Sequence, residues 1–422
     1  MLMVIFTGCT AKLTKEQSSQ LLKVYKEKNF FKLDNLMLKI EFNKKNPDLI
    51  LYRATLDNVF NKPIESIQLI NILLNKYPKY YNDSTIRDLY SMRAENALRL
   101  QDYFSAYKDD SLIITKYNHV CDSSGIESLK DDISLFRNLS GVPKMEIEKL
   151  SDSKISLKRD KAGLYNVPVI INKDTIDFVF DTGANFSVIN KTLATKYGVK
   201  ILGGKVKIGS STGIKVEAET GLLDIILGSI KIKNVVFVIF PDSALSFSNG
   251  AYIIKGIVGF PIMYGLQEFI IRDDKFLVIP QNPEESNSRN FAFDALTPVI
   301  MVEYQNDTLS FHFDTGATST SLYSLFFNKY KTEIIKHCKK INQSFGGAGG
   351  YVKSEVYLLD SAIISAGNSQ CKLDSLEIIA KDFNGNDVKY FYGSFGQDYI
   401  KQFSEMKINF ASMNINFTGK KK

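Results

Sequence analysis

The chain has 422 residues, 44% hydrophobic and 23% charged, which is long enough for two or three folded units with ordinary soluble cores. Its net charge of +7 comes mostly from scattered Lys, with no dense Arg/Lys stripe interleaved with aromatics, so nucleic acid is not an expected partner. Four cysteines and three histidines are too few and too scattered for a metal cluster, and no cofactor fingerprint is visible. Cys338 and Cys371 could pair in an oxidising compartment if the fold brought them together.

In chain order, the first element is "MLMVIFTGCT", an apolar run ending in Phe6-Thr7-Gly8-Cys9. Small residues before a Cys resemble the lipobox of bacterial lipoproteins. That resemblance implies a leader over residues 1–9, lipid attachment at Cys9 and a membrane-anchored place in the bacterial cell envelope. Phe6 is bulkier than the usual Leu, and a basic stretch ahead of the apolar run is missing.

Residues 10–145 read as helical. Apolar residues recur at three- and four-residue spacing in "SSQLLKVYKEKNFFKLDNLMLKI", which contains no Gly or Pro. Two segments then resemble each other, beginning at Leu51 and at Leu89, an offset of 38 (89 − 51), each with a central Ala (Ala54, Ala94) and a break. This looks like a degenerate tetratricopeptide-type array. Such an array implies a docking surface for a protein partner; a helical spacer without a partner remains equally open.

After the charged connector "SGVPKMEIEKLSDSKISLKRDKAG" the period changes to strand alternation, punctuated by Gly and Asn-Asp. "LYNVPVIINKDTIDFVFDTGANFSVI" aligns with "LTPVIMVEYQNDTLSFHFDTGATSTSLY", placing Asp181 and Asp314 133 residues apart (314 − 181). Downstream, "KGIVGFPIMYGLQEFIIRDDKFLVI" aligns with "YGSFGQDYIKQFSEMKINFASMNINF", matching Gly259 with Gly396. A β-rich unit is therefore duplicated, over residues 155–281 and 290–418, around the polar linker "QNPEESNSRN".

Two Asp-Thr-Gly-Ala copies, each after strands and before a matching distal Gly, resemble the retropepsin-like aspartic proteases, including the bacterial gag-polyprotein type. The resemblance implies a multidomain α plus all-β chain: a helical-hairpin region, then two β-barrel lobes forming a pseudo-twofold bilobal protease. It implies Asp181 and Asp314 as the catalytic pair, supported by Thr182, Gly183, Thr315 and Gly316, with a peptide or protein as substrate and no cofactor. Chemically, metal-free hydrolysis needs one group to take a proton from water and another to give one to the carbonyl. Two carboxylates close together share one proton and divide those tasks.

A carboxylate pair also needs a lid. The resemblance assigns this to two Gly/Ser hairpin tips, Gly209, Ser210, Ser211, Thr212 and Gly213 in the first copy, and Gly346, Gly347, Ala348, Gly349 and Gly350 in the second. His312 stands two residues before Asp314, where the first copy has Val179, and reads as packing. His119 and His337 fall in helical stretches without neighbouring ligands. The reading from another class is a helical-repeat lipoprotein whose protease-like lobes hold peptides without cutting them.

Overall fold

The computed structural model describes residues 13–286, 288–382 and 390–421. The lipid-attachment position expected at Cys9 lies outside these residues. Among the described residues seven α-helices come first: α1 (Lys15–Lys26), α2 (Phe30–Met37), α3 (Pro47–Val59), α4 (Pro63–Lys76), α5 (Asp83–Arg99), α6 (Tyr103–Lys116) and α7 (Ser123–Leu139). Side chains cap most of their starts. Thr14 and Gln17 form a reciprocal capping box at α1, and Asn46, Asn82, Asp102 and Asp122 accept the free N–H groups of α3, α5, α6 and α7. Among the described residues, no helix is long and apolar enough to cross a membrane.

Helices α3/α4 and α5/α6 form two successive hairpins. Each turns through a left-handed residue, Asn61 (φ 59°) and Gln101 (φ 57°), so the structural repeat is 40 residues (101 − 61) rather than 38. The Leu-Tyr pairs that suggested the shorter offset sit two positions out of step, more than half a helical turn. The central alanines, 40 apart, are both buried where the helices meet.

Helix α6 carries a buried acid, Asp110, beside Asp109, Asp132 and Glu95; burial, then these neighbours, pushes its carboxyl up to about 8. A carboxyl whose folded pKa is raised contributes stability that is fully present below its unfolded value and lost as pH rises through the folded one. The protein is therefore expected to weaken between about pH 4 and pH 8, by at most ~1.4 kcal/mol per unit from this group. Asp110→Asn should flatten that dependence, as read by urea unfolding at pH 5 and pH 8; an unchanged slope would remove Asp110 as its source.

Two β units follow, and their strand pairings repeat one ring. In the first, Tyr165–Ile171 pairs with Asp174–Phe180, which runs parallel to Gly256–Val258. That strand pairs with Ser187–Asn190, which runs parallel to Ile230–Phe240. The next partner, Lys215–Leu227, returns to Tyr165–Ile171. The second unit has the same sequence of parallel and antiparallel pairings through Thr297–Tyr304, Asp307–Phe313, Gly393–Phe395, Ser321–Leu322, Ser369–Ile379 and Gly350–Ala366.

Alternation divides each unit into two faces. Phe178, Phe180, Ile189, Phe237 and Val258 enter the main core, as do their counterparts Phe311, Phe313, Leu322 and Phe395. A five-stranded sheet joins the units. Its centre is the antiparallel pair Glu268–Arg272 and Phe403–Asn409, one strand from each unit, flanked by Phe276–Ile279 and Asn414–Lys420. Phe180 meets Phe269 edge-on at 5.0 Å, so the strand leading to Asp181 rests on this joint.

The charged connector is not a free linker. Glu146–Lys149 pairs with Ile230–Lys233, and Ser153–Ser156 forms the edge of the joining sheet against Phe276–Ile279. Its alternating charged and apolar residues are strand chemistry, hidden by the Lys/Glu content. Cys338 and Cys371 are free thiols rather than a disulfide. The helices pack on both units. Residues of α1–α3 share a core cluster with Val299, Tyr323 and Val356, and residues of α5–α7 share one with Val188, Val206 and Val238.

Candidate active site

Each Asp-Thr-Gly loop leaves the end of a strand. The ladder continues one residue past each strand end: Asp181 N–H donates to Val258 O at 3.1 Å, and Asp314 N–H to Phe395 O at 3.0 Å. The next turn is closed by Gly183 N–H on Asp181 Oδ1 (2.8 Å) and Gly316 N–H on Asp314 Oδ1 (2.7 Å). Both loops then tie back to the distal glycine segments. Phe260 N–H donates to Ala184 O, and Gln397 N–H to Ala317 O.

The loops meet face to face. Thr182 N–H donates to Thr315 Oγ1 (3.0 Å), and Thr315 N–H to Thr182 Oγ1 (2.9 Å). Each hydroxyl donates onward to the other unit's strand, Thr182 to Phe313 O and Thr315 to Phe180 O. Both threonines are fully buried, so this reciprocal set replaces water for two N–H groups that would otherwise be unsatisfied.

The glycines stand against the opposite acids. A Cβ on Gly183 would lie 2.7 Å from Asp314 Oδ1, and one on Gly316 would lie 2.4 Å from Asp181 Cγ. Only hydrogen fits at either position, which brings the two carboxylates together. Burial and then the Asp314 charge hold the Asp181 carboxyl well above the usual carboxylate range. Burial also raises Asp314, offset in part by hydrogen bonds from Asp181 and from the amides of Gly316, Ala317 and Gly183.

The two Gly/Ser tips fall at hairpin turns. Lys200–Gly209 and Lys215–Leu227 flank the first, where Ser210 N–H bonds Ile214 O and Ser210 Oγ meets Thr212 Oγ1 at 2.8 Å. Lys339–Gly347 and Gly350–Ala366 flank the second. The tips touch: Gly347 packs on Ser211 and Thr212, and Gly349 packs on Ile214 and Val216. Gly349 N–H also donates to Ala244 O at 2.8 Å, and Tyr351 meets Phe247 edge-on at 5.7 Å. Ile208, Ile214 and Ala348 share an apolar cluster with Phe186, Val188 and Ile257.

Helix α7 grips the first hairpin, a contact that sequence reading missed. Lys215 Nζ pairs with Glu127 (2.8 Å) and Asp131 (2.6 Å), and Asn138 Nδ2 donates to Gly204 O at 2.7 Å. Lys215→Ala is expected to give several-fold faster amide exchange over residues 206–216, with little change in the second unit. Unchanged protection there would show that the apolar contacts alone hold the hairpin.

A second network was also invisible in the sequence. Gln397 Nε2 donates to Thr315 O (2.6 Å), and Arg159 Nη1 donates to Gln397 Oε1 (2.5 Å). Arg159 Nε and Tyr165 Oη in turn donate to Asp274 at 2.9 and 2.5 Å. The connector strand of one unit thus holds the acid-bearing loop of the other. Among the described residues the first loop has no such support, and Phe260 occupies the place of Gln397.

The histidines are accounted for. His312 lies 3.9 Å, centroid to centroid, from the Phe391 ring, and burial pushes its pKa down to about 4, so it packs as a neutral ring. His119 and His337 sit at the surface beside Asp83 and Glu333.

No curated protein matches the chain. Residues 167–262 match the aspartyl protease family, a span that carries Asp181, the first hairpin and Gly259, so this segment is an aspartic protease-like domain.

Proposed function

We propose that the chain is an aspartic endopeptidase whose two acids act in cis. The observation that supports this most directly is the reciprocal placement of Gly183 against Asp314 and Gly316 against Asp181, locked by Thr182 and Thr315. The pair shares one proton, because burial raises both carboxyls and the charge of one opposes ionisation of the other; with that proton on Asp181, Asp314 is the base. The ionised Asp314 takes a proton from water as the water oxygen bonds to the scissile carbonyl carbon. Asp181 gives its proton to the carbonyl oxygen, forming a neutral gem-diol. Asp181, now ionised, removes a proton from one gem-diol hydroxyl as that carbonyl reforms. Asp314 protonates the amide nitrogen as the C–N bond breaks, and the product acid and amine leave. The two hairpins serve as flaps; their touching tips must part to admit a peptide and then close over it.

Activity requires the singly protonated pair. Raised values move both limbs of the rate profile upward, so a bell centred in mildly acidic to near-neutral conditions is expected, measured as kcat/KM against pH. Ala184 and Ala317 offer no hydroxyl to the carboxylates, so replacing both by Ser should move the acidic limb down. Activity confined to strongly acidic pH would contradict this assignment. The direct test of the function is a peptide library incubated with the protein at several pH values, with and without pepstatin, and read by mass spectrometry. Pepstatin-sensitive cleavage is expected, and intact peptides throughout would overturn the reading.

A further inference from the structure

The duplicated ring places one in-register row across four strands beside each acid. In the first unit the row is Val179, Ile257, Val188 and Val238. In the second it is His312, Ser394, Ser321 and Glu377. Val179 and His312 stand two residues before their Asp, and the ladder continues through each Asp N–H. Each row therefore shares its Asp's face, opposite the main core.

The rows match in position and differ in chemistry. Three members of the first row, with the apolar residues of the hairpin above them, are packed in one cluster. The second row instead carries the half-buried His312, a buried hydroxyl at Ser394, and a half-buried hydroxyl and carboxylate at Ser321 and Glu377. Glu377 is half-buried and accepts a hydrogen bond from Gln343 Nε2, on the rising strand of the second hairpin. It therefore lies beneath that hairpin. Among the described residues Glu377 has no cationic partner, although the chain carries 53 Lys and Arg. Its partial burial raises its pKa, so an approaching cation is the partner that would favour its charged form.

Resting on the reading that this cleft holds a peptide, we propose that Glu377 selects a basic side chain in the substrate, while the Val188–Val238–Ile257 wall takes apolar ones. Neighbouring strands lie about 4.8 Å apart, so the three steps around the ring from the strand of Asp314 to Glu377 span roughly 10 to 14 Å. An extended peptide advances about 3.3 Å per residue, which puts the basic side chain roughly two to four residues from the scissile bond. A half-buried carboxylate discriminates by charge more strongly than an exposed one, because water screens it less.

The test is binding of fluorescein-labelled decapeptides, in which Arg, Gln or Glu is placed in turn at each position of an otherwise apolar sequence. In the wild-type chain one position should favour Arg over Gln by about tenfold. Glu377→Gln, close to isosteric, should lose that preference while binding all-apolar peptides as before, and Glu377→Arg should favour Glu at the same position. Absence of an Arg preference in the wild type, or its survival in Glu377→Gln, overturns the proposal. Because binding is read directly, a chain that binds with this preference but never cleaves would sink the protease reading and leave the specificity standing.

Discussion

Asp181→Asn and Asp314→Asn are each expected to abolish peptide hydrolysis, with kcat falling at least about 10³-fold, because each removes one half of a shared-proton system. The fold should survive, and a linkage argument makes that checkable. Asp181 has a raised carboxyl pKa, so the stability it contributes is lost as pH rises through its folded value. Asn cannot ionise, and the variant should resist urea at pH 8 at least as well as the wild type. Near-full activity in either variant would show that the two acids do not work in cis. Lost activity accompanied by lost stability would point to a structural role instead.

The second large effect is expected at Gly316. Its φ is not left-handed, so the constraint is space rather than backbone conformation. A methyl there would lie 2.4 Å from Asp181 Cγ, inside any permitted contact. The loops cannot part to relieve it, because the four Thr182 and Thr315 hydrogen bonds cross the same gap. Gly316→Ala should therefore eliminate activity and cost about 3 kcal/mol of stability in urea unfolding. Gly183→Ala, at 2.7 Å from Asp314 Oδ1, should behave alike. Thr315→Ser, which keeps the hydroxyl, should retain much of both properties, whereas Thr315→Val should not. A Gly316→Ala protein with ordinary activity would mean that the acids sit farther apart than described.

What was legible in the sequence was whatever repeats locally. The helix spacing, the strand alternation, the two Asp-Thr-Gly-Ala copies and the hairpin tips each follow from neighbouring residues, and duplication allowed each copy to check the other. The duplicated unit also made Gly259 and Gly396 recognisable, though not their task of receiving the acid-bearing loops. Local spacing failed in two places. In the connector, charge masked strands that exist only because Ile230–Lys233 and Phe276–Ile279 lie alongside. In the helical hairpins, a matching Leu-Tyr pair gave a register two residues out of step.

The sequence by itself determined that two acids of one type stand at equivalent points of two equivalent β units. Backbone periodicity and the absence of side chains at Gly183 and Gly316 are local properties. Only the tertiary structure decided what makes the two halves unlike. Arg159 reaches Gln397 across 238 residues, Lys215 reaches Glu127 across 88, and Glu377 stands where the other unit has Val238. Such contacts depend on which surfaces the joining sheet and the helices bring together. That choice is made by the sum of buried area over the whole chain, and no single stretch of residues records it.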